Sequence, residues 1–455
     1  MSRKTINLGT LMISIRNMHL PFAPCGVWMA IFCLPAIASD FGCSRLENDP
    51  LVASVEGKQG YFYRVLADIR MQHQLSDHTA KQLAEVAKAL EANGTTLVYV
   101  PIPTKSLTMP QFLPDRTYEL GFNYDIAKAA YDDALAKLRH NGVLTVDVLS
   151  ALRSNDKYHP PFLQADFHWT AWGAQSAAKE VAATIKSLPG ADTLQTASFE
   201  TKPTNRQQII STMRRFLQAS CLSSLPLAEM DSFETTEVSA PGDAQLDIFG
   251  SDDAGDQVAL VGTSFSDLAP ANFAGFLSQE MQTPVSNYAV SGGNQFGSIT
   301  SYITSAAFAE KRPRFLIWEN PIYNNLGKFG DAPLRELTAA ATKTCDLVPT
   351  PLVSALESNV LDLALRPEIL NSPSVILADA GNENSRQAIL RVALEGGDVI
   401  ETQISRPARA TSSGRYYFPF DAHSKNVTNV QIVFDTLSPE RAGVSICHSA
   451  SVKEN

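Results

Sequence analysis

The sequence predicts an α/β fold with a mostly parallel sheet, followed by a small all-β sandwich. Two observations carry this expectation. From Thr79 to Glu319 short apolar runs alternate with segments of helical periodicity, and from Ser374 onward brief alternating runs lie between Gly, Asn, Asp and Ser clusters. A third observation concerns position: the apolar runs of the first part end in glycine or polar residues, where ligands of parallel sheets sit.

The elements follow in order. The first 38 residues hold Arg3, Lys4 and Arg16 and no acid, then an apolar run from Gly26 to Ala38 ending Ala36-Ile37-Ala38. That pattern predicts a secretory signal cleaved after Ala38. The run is interrupted by Pro35 and falls short of the roughly 20 residues a membrane span needs. "TAKQLAEVAKALEA" (79–92) predicts a helix stopped at Asn93-Gly94, and "TLVYVPIP" a strand. "YDIAKAAYDDALAKLRH" (124–140) is the next helix, stopped by Asn141-Gly142, with "VLTVDV" as its strand. "AWGAQSAAKEVAATIKSL" begins after Thr170, a suitable N-cap. "QVALVG", "PVSNYAV" and "RFLIWE" predict strands, and "NFAGFLSQEM" and "SITSYITSAAFAE" helices between them. "SVILADA", "QAILRVAL", "YYFPF" and "NVQIVFD" have the pattern of a sandwich. The expected division is 1–38 signal, 39–344 first domain and 345–455 second domain, since about 417 residues are too many for one core.

The full-length charge is −10, and loss of the three basic residues of the signal leaves about −13. That balance excludes nucleic-acid binding through a general basic surface. It leaves room for a polyanion held by a local basic strip. Cys43, Cys221, Cys345 and Cys447 remain after cleavage, and four cysteines allow three connectivities. An even count in an exported chain favours disulfides over free thiols, and no C-x-x-C pair suggests metal. Position suggests Cys345 with Cys447, bracketing the C-terminal stretch, and Cys43 with Cys221.

Asp166-Phe167-His168 and Val261-Gly262-Thr263-Ser264 supply an acid, a base and a nucleophile in the order Asp, His, Ser. Triads occur in several chain orders, so this one is admissible. Gly262 ahead of the hydroxyls allows a tight turn that lifts Ser264 clear of its strand. Each member also has a plainer reading: hydroxyls cap helices, and Asp166 with His168 suits a structural pair or two metal ligands. Of eight histidines only His159 lies close by, which ranks metal low. Trp169 and Trp172 suit a core or a pocket wall. Pro103-Thr104-Lys105, Gly292-Gly293-Asn294 and Glu319-Asn320 also follow strands, which predicts that these strand ends converge on one rim. Lys105 reads either as a solvated loop charge or as a rim cation for a carboxylate.

The run Asp166 to Thr170, "VALVGTSFS" with "NFAGFL", Asn287 to Gly293, and Ile317-Trp318-Glu319 together resemble the alginate O-acetyltransferases of the AlgX/AlgJ type. These are periplasmic members of the SGNH hydrolase-like group. The likeness extends through 122–142, Gly414-Arg415-Tyr416 and Ser445-Ile446-Cys447, and the two-domain layout is closer to the AlgX type. It implies a permuted SGNH-like domain with acid and base ahead of the serine, followed by a carbohydrate-binding sandwich. It further implies Ser264 as nucleophile, His168 as base and Asp166 as the group holding the imidazole. The backbone N–H groups of Ser264 and of Gly292 or Gly293 are the oxyanion-hole candidates, with Asn294 and Asn320 as candidates for the usual asparagine. Tyr323 falls where the family carries a tyrosine near the site.

The implied reaction is acetyl transfer through an acyl-serine onto hydroxyls of an exported polyuronate, with no metal or diffusible cofactor. The alternatives are a carbohydrate esterase using the same three residues, or a non-catalytic polysaccharide-binding scaffold of an export complex. Implied partners are an acetyl donor from other acetylation proteins and periplasmic export-complex proteins. Residues 345–455 contain no tryptophan, so sugar contacts fall to Tyr416, Tyr417, Phe418 and Phe420, of which half suit a sandwich core. Arg406, Arg409 and Arg415 suit a uronate better, because a guanidinium binds a carboxylate in bidentate fashion. Lys425, Arg366 and Arg391 are further candidates. The disulfide pairing rests on position together with this likeness.

Overall fold

Unbroken apolar runs are the mark of strands buried on both faces, and they form the centre of this molecule. The computed structural model describes residues 39–70, 74–238, 257–342, 353–363, 374–420 and 427–448. Residues 1–38, with the expected signal, lie outside the described residues. Strands β1 (Ser54–Glu56) and β2 (Phe62–Arg64) pair as a hairpin ahead of β3 (Thr96–Ile102). Two small two-stranded antiparallel sheets follow, with β4 (Phe199–Pro203) pairing β7 (Phe233–Glu237) and β5 (Gln207–Gln208) pairing β6 (Glu229–Met230). Then come β8 (Val258–Val261), β9 (Val285–Asn287) and β10 (Phe315–Pro321).

The central sheet has the order β3-β10-β8-β9 and is parallel throughout. Trp318 stands level with Tyr99 on one side and Val261 on the other. Side chains alternate between two cores. Val98, Val100, Leu260 and Ile317 face one with helices Tyr124–His140, Ala171–Lys186 and Phe273–Met281. Leu97, Tyr99, Val261 and Trp318 face the other with helices Asp77–Glu91, Gly297–Ile303 and Ala332–Ala341. This alternation fixes the register, because a one-residue slip would exchange the two faces.

Helix limits follow local chemistry. The side chains of Ser76, Asn123 and Thr170 accept from Thr79, Ile126 and Gly173 N–H, capping three of these helices. Three expectations need correction. "VLTVDV" forms one parallel rung at Thr145 beside Tyr99 rather than a full strand, with Tyr99 N donating to Leu144 O and Val146 N to Tyr99 O. "PVSNYAV" is a strand only to Asn287. "SITSYITSAAFAE" breaks into Gly297–Ile303 and Ala306–Glu310, because the Ser305 side chain caps the second piece by accepting from Phe308 N–H.

The C-terminal region is all antiparallel. One sheet has the order β11 (Val353–Glu357), β12 (Val360–Leu363), β17 (Val427–Phe434), β14 (Gln387–Leu394), β15 (Val399–Ser405). The other has β16 (Arg415–Phe420), β13 (Ser374–Asp379), β18 (Gly443–His448). Period-two burial of Ala388, Leu390 and Val392 and of Val430, Ile432 and Phe434 closes the sandwich core. On β16, Tyr416, Phe418 and Phe420 face that core, while Tyr417 faces the core shared with helix Ala332–Ala341. Cys43 and Cys221 are bridged across 178 residues. Cys447 is buried and disulfide-bonded, and Cys345 lies outside the described residues.

Candidate active site

Ser264 stands just past the end of β8 as the first residue of the short helix Ser264–Asp267, where the Thr263 side chain accepts from Phe265 N–H. The turn is built around Gly262, since a Cβ there would lie 2.5 Å from Glu319 Oε2. Glu319, fully buried on β10, accepts from Thr263 N–H at 2.8 Å, from Thr263 Oγ1 at 3.1 Å and from Ser266 Oγ at 3.0 Å. Burial pushes its carboxyl up to about 7, against the effect of those donors. Asn287 Nδ2 donates to Ser266 O at 2.8 Å, tying the turn to β9.

His168 reaches this serine from the segment between Phe162 and Trp169, which pair as an antiparallel bridge. Its Nε2 lies 2.8 Å from Ser264 Oγ and its Nδ1 2.7 Å from Asp166 Oδ1. Asp166 is 1 % exposed and also accepts from His168 N–H at 2.8 Å and from Ser211 Oγ. Burial alone raises this carboxyl, but the hydrogen bonds and charge of His168, with Ser211, outweigh it and hold the group below the usual carboxylate range. An ionised carboxylate only accepts, so the proton it meets is on Nδ1 and the Nε2 lone pair faces the serine hydroxyl. Trp169 Nε1 donates to Phe265 O at 2.8 Å, joining the histidine segment to the serine helix. The rings of Phe167 and Phe265 flank the imidazole at 4.1 and 5.2 Å.

Several expected site residues stand elsewhere. Lys105 is buried, and its Nζ donates to the carbonyls of Phe62, Leu163, Gln164 and Asp166 at 2.6–3.0 Å. It therefore fixes the backbone carrying Asp166 instead of offering a rim cation. Burial pushes its ammonium down to about 7 while Asp68 and Asp166 raise it. Four carbonyl acceptors favour the charged form, since a neutral amine would turn a lone pair toward one of them. Arg406 is buried in a bidentate pair with Glu336 at 2.6 and 2.8 Å, leaving no fork for a uronate. Tyr416 is fully buried beneath the Arg406 guanidinium, 4.6 Å from its ring centre, because it belongs to the core-facing row of β16. Arg415 is half-buried and paired with Asp379, and Arg391 with Glu401. Arg366 and Lys425 lie outside the described residues.

The remaining candidates fall near the serine. Val290 N–H donates to Gly262 O, and Ser291 N–H to Asp267 Oδ2, which bring the 288–293 turn against the serine turn. Gly292 adopts φ 77 within it, and Gly293 N–H is committed to Val290 O at 3.3 Å, which removes it as a free donor. Asn320 Nδ2 donates to Tyr99 Oη and Asn324 O, so it is not a free donor, whereas Asn294 uses only its Oδ1, accepting from Phe296 N–H. Arg409 is exposed and lies against Gly292, where an added Cβ would meet its Cδ at 2.8 Å. Tyr323 lies just past β10 under the guanidinium of Arg64. Ser211 and Arg64 carry no local signal in the sequence, and Asn287 stands there only within the segment that bears the family resemblance. Glu319 and Asn320, expected past a strand end at the rim, lie inside β10 and are buried, so the acid is held by partners from the serine turn instead.

Residues 55–322 match the family described as "SGNH hydrolase-like domain, acetyltransferase AlgX". The chain is 34% identical to alginate biosynthesis protein AlgX of Pseudomonas aeruginosa over 266 residues, 58% of this chain and 55% of that protein. It is 30% identical over 267 residues to the probable alginate O-acetylase AlgJ of Pseudomonas syringae pv. tomato, covering 55% of this chain and 64% of that one. The chain thus spans little more than half the length of the curated AlgX it matches. The solved structure of Pseudomonas aeruginosa AlgX superposes with a TM-score of 0.74 at 26% identity, over 88% of this chain and 95% of that one. The chain belongs to the AlgX family of SGNH hydrolase-like acetyltransferase domains.

Proposed function

We propose that this protein transfers acetyl groups onto hydroxyls of an exported polyuronate, alginate by the names of its relatives, with Ser264, His168 and Asp166 as its triad. The observation that carries the reading is the continuous line from Asp166 Oδ1 through His168 to Ser264 Oγ, at 2.7 and 2.8 Å. Ser264 Oγ attacks the carbonyl carbon of a donor acetyl ester while Nε2 takes the hydroxyl proton. The tetrahedral adduct collapses with Nε2–H protonating the departing alkoxide, which leaves acetyl-Ser264. A sugar hydroxyl then attacks that acetyl, giving its proton to Nε2, and Ser264 leaves with the proton returned. The backbone N–H groups of Ser264 and Gly292 are the candidate oxyanion donors. The Asp166 carboxylate keeps the Nδ1 proton in place and stabilises the imidazolium formed in each half.

Arg409, exposed beside the serine turn, is the C-terminal cation that best suits the polymer. The Cys43–Cys221 disulfide supports an extracytoplasmic location. Among the described residues no helix is long and apolar enough to cross a membrane. The acetyl donor is expected to come from partner acetylation proteins.

The test incubates the full chain with p-nitrophenyl acetate and oligomannuronate, then weighs both protein and oligomer by mass spectrometry. Acetyl is expected on Ser264 and on the oligomer, and on neither with Ser264→Ala. Unchanged acetylation by Ser264→Ala would sink the triad. Ester cleavage without acetyl on the oligomer points instead to an esterase, and polymer binding without either reaction to a scaffold.

A further inference from the structure

Arg64 ends β2 and holds its guanidinium between two rings of the candidate site. Its Cζ lies 4.2 Å from the ring centre of Phe167 and 4.2 Å from that of Tyr323. Phe167 is the residue between Asp166 and His168, and its ring lies 4.1 Å from the imidazole, tilted by 32°. A guanidinium flanked in this way directs its five N–H donors outward in its own plane, as a fork. The backbone N–H of Arg64 donates to Asp68 Oδ2 at 2.8 Å, and its Nε stands 3.6 Å from the same oxygen, beyond hydrogen-bond distance. That Nε is buried and has no hydrogen-bond partner among the described residues. The side chain keeps 19% of its surface exposed, so the outer part of the guanidinium beside the Tyr323 hydroxyl is reachable although Nε is not.

Two expected substrate cations are committed elsewhere, Lys105 Nζ to four carbonyls and both terminal nitrogens of Arg406 to Glu336, while Arg409 is exposed and lies against Gly292. Asp68 forms an ion pair with Arg64 at 3.6 Å but no side-chain hydrogen bond, its oxygens accepting from the backbone N–H groups of Arg64 and Lys105. A charged fork with an unsatisfied edge, on the histidine side of the reacting serine, fits a carboxylate carried by the acceptor.

We propose that Arg64 binds, through its guanidinium edge, the carboxylate of the uronate unit whose hydroxyl is presented to His168. This assignment rests on the acyl-transfer reading for its orientation, but carboxylate binding is measurable without any turnover. Holding one sugar by its ring carboxylate places the hydroxyl of the same ring at a fixed distance from Nε2, so Arg64 would select uronates over neutral sugars.

The test measures calorimetric binding of hexamannuronate and of neutral mannohexaose to the full chain, to Arg64→Met and to Arg64→Lys. Loss of one charge-assisted pair predicts about tenfold to hundredfold weaker hexamannuronate binding by Arg64→Met. Mannohexaose binding is expected to stay within about twofold, and Arg64→Lys to fall between, since it keeps the charge and loses the fork. Equal loss for both oligomers, or undiminished hexamannuronate binding by both variants, overturns the proposal. Far-UV circular dichroism and urea unfolding check in each variant that the chain is folded. Arg64-dependent binding without acetyl-Ser264 in the unmodified protein leaves this inference standing and removes the acyl-transfer reading. Acetyl-Ser264 with Arg64-independent binding does the reverse.

Discussion

Replacing Glu319 with glutamine removes a charge while nearly keeping the volume, and the structure sets the size of the effect. The carboxyl is fully buried, so solvent screening does not reduce the effect. Burial lifts its pKa from 4.5 to about 7 despite donation from Thr263 and Ser266. A folded pKa above the unfolded one means that the folded protein holds a proton which the unfolded chain releases between those values. The contribution of Glu319 to stability is therefore fully present below about pH 4.5 and is lost as the pH rises through about 7. A shift of this size corresponds to about 3 kcal/mol. Glutamine keeps an acceptor for Thr263 N–H and does not titrate, so Glu319→Gln is expected to gain about 3 kcal/mol on the unmodified protein between about pH 5 and about pH 8. Urea unfolding of both full chains across that range reads the difference of differences. Other titrating groups such as Asp166 are common to both proteins and cancel. Parallel curves, agreeing within about 1 kcal/mol throughout, would show that the donors outweigh burial and that the carboxylate is ionised at neutral pH.

Asp166→Asn leaves the serine and imidazole in place but removes the charge that fixes the Nδ1 proton. The burst of p-nitrophenol from p-nitrophenyl acetate is expected to slow roughly thousandfold to ten-thousandfold, and a loss under about tenfold would count against the triad. Because Asp166 titrates below its ordinary range when folded, its stabilisation is present above about pH 4 and disappears as the pH falls through that lower value. Acid unfolding of Asp166→Asn should accordingly lose part of this dependence. Lys105→Met strips four buried carbonyls of their donor and is expected to cost about 3–5 kcal/mol in urea unfolding, with slower acetylation of Ser264. A cost under about 1 kcal/mol would mean that the carbonyls find other donors or water.

Much of the fold was legible because its determinants are local. Helix Tyr124–His140 is framed by the Asn123 cap and the Asn141-Gly142 stop, and β14 coincides with "QAILRVAL" through period two alone. The serine turn declared itself through glycine and two hydroxyls at the end of an apolar run. Failures arose where a neighbour in space overrode the local pattern. "VLTVDV" has strand composition but reaches the sheet edge for a single rung, and Tyr416 lies inward because β16 faces a core on each side.

The sequence by itself determined the long capped helices, the central apolar strands and their order, since periodicity, caps and turns act over a few positions. Only the tertiary structure decided which charges are available. Lys105 meets carbonyls about sixty positions away, Asp166 receives Ser211 from 45 positions on, and Arg406 is neutralised by Glu336 from 70 positions before. Arg64 Nε is left without a hydrogen bond because packing holds its nearest carboxylate oxygen, from Asp68, at 3.6 Å. An ionisable group's role depends on what lies within a few ångströms of it, and in a chain this long those partners are set by packing rather than by spacing.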